Sequence, residues 1–204
     1  MAPERLARWM DGFGERHGGA VTVASDLQVE LIGADGARAV CVAPFPPVEG
    51  DLVTHALRDR RVGVLLVRLG GYAAGVFEGA RLVSSKVGSR QVHGRSAAGG
   101  QSQQRFARRR EGQAAVALRA AADNAVRILL PEVSRLDAVV TGGDRGALAA
   151  VLADDRLAAL RPLVLERVID VPEPRQAVLL TMPQRFRAVR ITLTEPPNEP
   201  PTRP

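Results

Sequence analysis

Two glycines and a glutamine, Gly99, Gly100 and Gln101, stand directly before a predicted long helix that begins at about Ser102. Glycine lets the backbone approach a ligand closely, and the first turn of a helix has free N–H groups that favour negative charge. The Gln101 amide both donates and accepts hydrogen bonds. It can therefore position a water molecule, although it is no general base near neutral pH. This segment is suited to holding a phosphate, or to stabilising an oxyanion in a hydrolysis where one water must be oriented.

Arginines crowd the first turns of the same predicted helix. They are Arg105, Arg108, Arg109 and Arg110. At helical spacing, Arg105, Arg108 and Arg109 share one face. Cations there oppose the helix dipole, each by about 0.3–1 kcal/mol, so helix stability alone would not favour them. Phosphates beside these side chains would turn the unfavourable energy into a favourable one.

Positive charge is concentrated in residues 81–110, which contain eight basic residues and no acidic one. The whole chain has 28 basic and 22 acidic residues and a net charge of +6, so this segment carries the entire positive excess. A solvated surface usually mixes both signs, whereas a patch of one sign is typical of a protein that binds a polyanion. The charge pattern favours nucleic acid as the partner.

The elements that position this segment follow from hydrophobic periodicity. Apolar residues at helical spacing predict a helix over 3–17, and short β-rich runs follow it. The apolar run 61–69 predicts a central strand, and a hairpin about Glu78-Gly79 leads into the basic segment. The long helix continues to Pro131, with Leu118, Ala122, Ala125 and Leu129 on one face. Strands are predicted at 136–143, 162–171 and 186–194, with helical residues at 144–160. The alternation predicts an α/β or α+β sandwich, followed by a disordered proline-rich tail over 195–204.

Several other residue types that can do chemistry are assigned to ordinary structural roles. The lone cysteine, Cys41, is predicted to be a buried apolar residue. His17 and His55 have no metal-ligand spacing and are predicted to lie on the surface. Four aspartates could suggest a metal-dependent nuclease, but capping and solubility explain them better. They are Asp137, Asp144, Asp154 and Asp155.

The stretch from His93 to Glu111 resembles the catalytic loop of the class I peptide release factors of eukaryotes and archaea. In those proteins a His-Gly-Arg leads into Gly-Gly-Gln-Ser and then Arg-Phe-Ala-Arg. Here His93-Gly94-Arg95 precedes Gly99-Gly100-Gln101-Ser102, and Arg105-Phe106-Ala107-Arg108 follows, with Ser96–Ala98 inserted between the first two parts. The chain is shorter than a factor with codon-reading and partner-recruiting domains. It therefore looks like the release-factor-like domain of ribosome quality-control peptidyl-tRNA hydrolases, in the compact form described from actinobacteria.

The resemblance covers roughly residues 60–170 and implies a mixed β-sheet flanked by helices, of ribonuclease-H-like topology. Residues 60–194 would form the catalytic domain. Residues 1–59, a helix and strands, would pack on the same domain. The N-terminus lacks the apolar stretch of a secretory signal, and no apolar run is long enough to span a bilayer. We expect a monomeric cytoplasmic protein that does not bind a membrane.

The resemblance also implies hydrolysis of the ester between a nascent peptide and its tRNA, in the peptidyl transferase centre of the large ribosomal subunit. The partners would be ribosomal RNA and peptidyl-tRNA, with no metal or other cofactor. Gly99 and Gly100 would let the loop enter the RNA cavity, and Gln101 would position the water. Arg105, Arg108 and Arg109 would contact RNA, with Arg110, Arg95 and Ser102 as further RNA contacts. Without a codon-reading domain, release would not depend on a stop codon, which suggests rescue of stalled chains.

Two alternatives remain open at this point. A non-catalytic ribosome-binding factor would use the same arginines but would have no need of Gln101. A nuclease that cuts the acceptor end of tRNA would depend on aspartates and a divalent metal ion.

Overall fold

The computed structural model describes residues 1–68, 70–89 and 102–196, without the side chains of residues 102–111. The strands are β1 (Ala20–Ala24), β2 (Gln28–Gly33), β3 (Arg38–Val42), β4 (Arg61–Arg68), β5 (Gly71–Glu78), β6 (Arg81–Ser89), β7 (Ala138–Gly143), β8 (Val164–Ile169) and β9 (Arg190–Thr194). The α-helices are α1 (Leu6–Arg16), α2 (Leu52–Leu57), α3 (Ser102–Leu129), α4 (Arg145–Leu152), α5 (Gln176–Leu180) and α6 (Met182–Phe186). Three 3₁₀ segments, Pro3–Arg5, Leu130–Arg135 and Asp155–Leu163, complete the described secondary structure.

The chain forms two compact units, Met1–Arg58 together with the residues from Gln184 onward, and Asp59–Pro183.

The first unit is an antiparallel four-stranded sheet in the order β1-β2-β3-β9. The predicted N-terminal helix and the strands after it are confirmed. Phe13 of α1 packs on Leu31 and Ala39 of the sheet, and Leu6 is likewise fully buried. Strand β9, which the sequence analysis grouped with residues 60–194, pairs with β3 in this sheet. The domain boundaries and the packing of residues 1–59 on the catalytic domain stay predictions.

The prediction that His55 lies on the surface is wrong. Its side chain is buried, and its Nδ1 accepts a hydrogen bond from the Glu49 N–H at 3.1 Å. Its Nε2 lies 2.8 Å from the Phe45 carbonyl oxygen, so Nε2 carries the proton and donates it there. A histidine with both ring nitrogens satisfied by the backbone can be buried without an unfavourable polar group. His17 is half-buried and pairs with the exposed Asp35 at 2.8 Å.

The second unit is a five-stranded mixed sheet in the order β6-β5-β4-β7-β8. Strand β5 is antiparallel to both of its neighbours, whereas β4, β7 and β8 are parallel. Numbered within the unit, this is strand order 3-2-1-4-5 with only the second strand reversed, which is the ribonuclease-H-like topology. The fold is mixed α+β, as expected, and β4 is the central strand, as the apolar run 61–69 predicted.

Helices cover both faces of this sheet. On one face, α3 and α4 enclose a core with side chains of β4, β5 and β7. A β-carbon placed at Gly75 would contact Leu179 at 3.1 Å, whereas its neighbour Val76 belongs to the α3 core. Since adjacent strand residues point to opposite faces, α5 lies on the other face. No helix in the described ranges is long and apolar enough to cross a membrane.

Candidate functional site

The described residues lie on both sides of the predicted glycine–glutamine segment but do not include that segment. Gly99, Gly100, Gln101 and Arg95 lie outside the described residues. Arg105, Arg108, Arg109, Arg110 and Ser102 lie on the backbone of α3, but their side chains are outside the described residues. Ser89, at the end of β6, and Ser102, at the start of α3, therefore bracket the glycine–glutamine segment.

Strand β6 ends at the same edge of the sheet as the parallel strands. It is antiparallel to β5, which is antiparallel to β4, so β6 runs in the direction of β4, β7 and β8. The carboxyl ends of these strands, among them Arg68, Ser89 and Gly143, therefore lie at one edge. The chain enters residues 90–101 from this carboxyl edge, where open α/β sheets commonly bind ligands.

Helix α3 runs back along the sheet in the opposite direction. A β-carbon at Gly63, near the start of β4, would lie 3.3 Å from Leu129, the last residue of α3. Among the side chains of α3 that the structure describes, from residue 112 onward, the first buried one is that of Ala117. It lies twelve residues earlier, about 18 Å at 1.5 Å per residue. The strand from Gly63 to Arg68 rises by about 16 Å, so Ala117 lies level with the end of β4.

The part of α3 before Ala117 consequently projects past the carboxyl edge. None of the described side chains from residue 112 to 116 is buried, and Val116 is 59% exposed. The fifteen helical residues 102–116 correspond to about 22 Å of helix. The backbone that carries the predicted RNA-contacting arginines thus extends beyond the globular body of its unit.

A buried amide, which was not predicted from the sequence, joins α3 to β6. Asn124 is 6% exposed and donates a hydrogen bond from Nδ2 to the carbonyl oxygen of Lys86 at 2.8 Å. Its Oδ1 accepts no hydrogen bond from the described residues. The available signal was a polar residue between Ala121, Ala122 and Ala125 on the apolar face. This hydrogen bond fixes β6 three residues before its end, where the chain leaves for residues 90–101.

The aromatic ring of Tyr72 packs on the end of strand β6, next to the point where the chain leaves the sheet. Tyr72 of β5 lies opposite Gly88 of β6. A β-carbon at Gly88 would lie 2.5 Å from Cε2 of Tyr72, so the ring occupies the space that any other side chain would need. The packing of this ring on the Gly88 backbone holds the end of β6 in place, in addition to the hydrogen bond between Asn124 and Lys86.

The four aspartates have structural partners, or lie exposed, as predicted. Asp144 and Asp154 each accept a hydrogen bond as N-caps, from Ala147 N at 2.7 Å and Arg156 N at 3.0 Å. Hydrogen bonds from Arg156 lower the pKa of Asp154 to about 2. The described residues contain no group of three or more His, Cys, Asp or Glu side chains placed to hold a metal ion.

Asp137 accepts a hydrogen bond from the backbone N–H of Arg61 at 2.6 Å. It therefore ties the start of β7 to the start of the neighbouring strand β4. Asp155 is exposed, and its carboxylate lies 3.7 Å from Arg161.

A family model described as the Actinobacteria/chloroflexi VLRF1 release factor matches residues 60–192. The match covers well over half of the chain, the second unit described above, and the segment from Gly99 to Gln101. The chain belongs to this VLRF1 release factor family. The resemblance to release factors drawn from the sequence is thereby confirmed, and membership of this family indicates a role in translation.

Two archaeal structures are similar to this VLRF1 family member. The archaeal translation termination factor aRF1 is 15% identical, with a TM-score of 0.44, over 76% of this chain and 49% of its own. A second structure, described only as an archaeal protein, is 15% identical, with a TM-score of 0.43, over 77% of this chain and 52% of its own. The chain spans about half the length of these two structures. No curated protein matches it significantly.

Proposed function

We propose that this protein hydrolyses the ester bond between a nascent peptide and its tRNA on the large ribosomal subunit, without requiring a stop codon. The observation that carries the proposal is the match of residues 60–192 to a release factor family, with Gly99-Gly100-Gln101 inside that range. Release of peptides from stalled ribosomes is the corresponding cellular role.

The proposed reaction is attack of one water molecule on the ester carbonyl carbon. The water oxygen forms the new bond to carbon, the bond from that carbon to the ribose oxygen breaks, and a water proton ends on the ribose hydroxyl. The Gln101 amide would hold the water by accepting and donating hydrogen bonds, and its backbone N–H would face the developing oxyanion. Gly99 and Gly100 would keep side chains out of the narrow RNA cavity, and ribosomal RNA would supply part of the active site.

The geometry of α3 supports delivery of this loop into such a cavity. Residues 102–116 extend about 22 Å past the carboxyl edge of the sheet, and the proposal is that they carry the segment before them beyond the sheet of their own unit. Arg105, Arg108 and Arg109 would contact phosphates of ribosomal RNA or of the tRNA acceptor stem. Arg110, Arg95 and Ser102 would add further contacts. Each phosphate neutralised adds to the salt dependence of binding.

The test uses purified large subunits that carry labelled peptidyl-tRNA. Wild-type protein, Gln101→Ala and the matched control Gln103→Ala are compared, and a gel separates free peptide from peptidyl-tRNA. Binding of each variant to the subunit is measured in parallel by sedimentation. We expect release with wild type and Gln103→Ala, and loss of release by at least about 100-fold, near 3 kcal/mol of barrier, with a Gln101→Ala protein that still binds.

The other outcomes identify the alternatives. Binding by all three proteins without release would contradict the proposal and indicate a non-catalytic ribosome-binding factor. Loss of nucleotides from the tRNA 3′ end, abolished by chelation of divalent metal ions, would indicate the nuclease. The Arg105→Ala/Arg109→Ala variant should instead lose binding, most clearly at low salt concentration, and its remaining binding should depend less on salt than that of the wild type.

A further inference from the structure

Strand β1 differs from the other strands at the sheet edges. The described residues contain four edge strands, β1 and β9 in one sheet and β6 and β8 in the other. The other three carry charged residues, namely Arg190 in β9, Arg81 and Lys86 in β6, and Glu166 and Arg167 in β8. Charges on an edge strand discourage another strand from pairing with it. The sequence of β1, AVTVA, has neither charge nor proline, and all five residues are exposed.

Some backbone groups of β1 have no partner among the described residues, and the bonds that flank the strand show which ones they are. Gly19 O accepts from Ala34 N at 3.2 Å, and Ser25 N donates to Gln28 O at 2.9 Å. Hydrogen-bonded pairs alternate along an antiparallel ladder, so the odd-numbered residues between these two bonds also pair with β2. The N–H and C=O groups of the even-numbered residues point to the open edge. These are Ala20, Thr22 and Ala24.

The sequence AVTVA reads the same in both directions. If two copies pair antiparallel about a two-fold axis at Thr22, Thr22 faces itself and Ala20 faces Ala24 of the second copy. All three outward-pointing residues of each copy then fall in hydrogen-bonded pairs. The six N–H groups of the two copies together donate to their six carbonyl oxygens. Val21 faces Val23 of the second copy on the other side of the sheet, where opposed side chains lie closest.

We propose that the open edge of β1 binds a second copy of this chain in that register, which joins the two four-stranded sheets into one of eight strands. This conclusion differs from the monomer expected from the sequence. A contact of five residues on each strand is far smaller than a standard stable interface. The dimer is therefore weak, with a dissociation constant of about 0.1 mM.

Sedimentation equilibrium over a concentration series tests the pairing. Thr22→Pro removes an N–H that points away from β2, and proline is tolerated at such edge positions, so the first sheet is kept. Thr22→Val keeps both the N–H and a β-branched shape. We expect wild type and Thr22→Val to dimerise, and Thr22→Pro to bind at least ten-fold more weakly with an unchanged circular dichroism spectrum.

Disulfide formation tests the register. In the proposed pair only Thr22 meets its own copy, at a Cα–Cα distance of about 5.5 Å that a disulfide can bridge. Ala20 lies four residues, about 13 Å, along the strand from its own copy. Thr22→Cys should therefore cross-link under mild oxidation, whereas Ala20→Cys should cross-link only when mixed with Ala24→Cys. The native Cys41 is buried and does not compete.

Three results would overturn the proposal. They are a wild-type protein that stays monomeric up to about 1 mM, dimerisation of Thr22→Pro equal to wild type, and cross-linking of Ala20→Cys to itself as fast as Thr22→Cys. A fourth would come from repeating the oxidation with ribosomes present: a Thr22→Cys protein that cross-links to a ribosomal protein instead of its own copy would assign the edge to that partner and contradict self-pairing.

Discussion

A proline at Gly112 tests whether release requires α3 to be one continuous helix. Gly112 lies in the projecting part of α3, five residues before Ala117, whose side chain is the first buried one described in this helix. Proline inside a helix removes one hydrogen bond and clashes with the carbonyl four residues earlier, which costs about 3 kcal/mol. No side chain described between residues 112 and 116 is buried, so this cost falls on the projecting part and not on the core.

Because the proline acts on the projecting part of α3 and not on the core, the rate of peptide release and the free energy of unfolding should respond differently. A cost of 3 kcal/mol lowers the population of the straight helix by about 100-fold, and the rate of peptide release should fall by up to that factor. The free energy of unfolding should change by less than about 1 kcal/mol, as for a change away from the core. Gly112→Ala is the matched control, because a β-carbon there would meet no atom of the described residues within 4 Å beyond the helix's own backbone. It should stabilise the helix by about 1 kcal/mol and preserve release.

The assays are single-turnover release from large subunits and urea unfolding of the free protein. Slow release with unchanged unfolding is the expected result for Gly112→Pro. Release at the wild-type rate would refute the reasoning that a continuous α3 positions the loop. Global unfolding of Gly112→Pro would show that the part of α3 before Ala117 does contribute to the core.

Two further predictions concern the two units separately. Gly143 has a φ of +110°, and a β-carbon there would lie 2.1 Å from the Val67 carbonyl oxygen. Gly143→Ala should therefore lower the free energy of unfolding by about 3–5 kcal/mol in urea titrations, and a loss below about 1 kcal/mol would contradict the close approach of Gly143 to Val67. Burial raises the pKa of the Cys41 thiol to about 11, so about one thiol in a thousand is ionised at pH 8. Thiol reagents should label Cys41 slowly in the native protein and quickly in urea; fast native labelling would show that the first unit opens readily.

Local sequence patterns were sufficient for most of the secondary structure. The apolar run of β4, the turn about Gly79 and the long helix ending before Pro131 depend on periodicity and on backbone chemistry that act over a few residues. Gly79 has a φ of +58° and turns the chain between β5 and β6. The short helices α5 and α6 were missed, because five residues are too few to show a helical period.

Contacts between residues distant in the sequence determine which polar side chains are buried and which strands pair, and the sequence did not predict these features. His55 looked like a surface residue, because nothing in its neighbourhood indicates that its ring meets the Phe45 carbonyl and the Glu49 amide. Asn124 looked like one polar residue among alanines, and its bond to Lys86 joins positions 38 residues apart. Pairing of β9 with β3 joins residues 190–194 to residues 38–42 in one sheet, and no local pattern specifies a contact at that distance along the chain.

By itself, the sequence determined the chemistry proposed for this protein. Gly99, Gly100, Gln101 and the arginines after them are adjacent in the chain, so their types and spacing could be read directly. Only the tertiary structure decided where that chemistry is presented. The strand directions place the end of β6 at the carboxyl edge. Ala117, the first described side chain of α3 that is buried, lies level with that edge, so about 22 Å of helix extends past the sheet. Such a projection depends on which residues of a helix find packing partners, and those partners come from strands distant in the sequence.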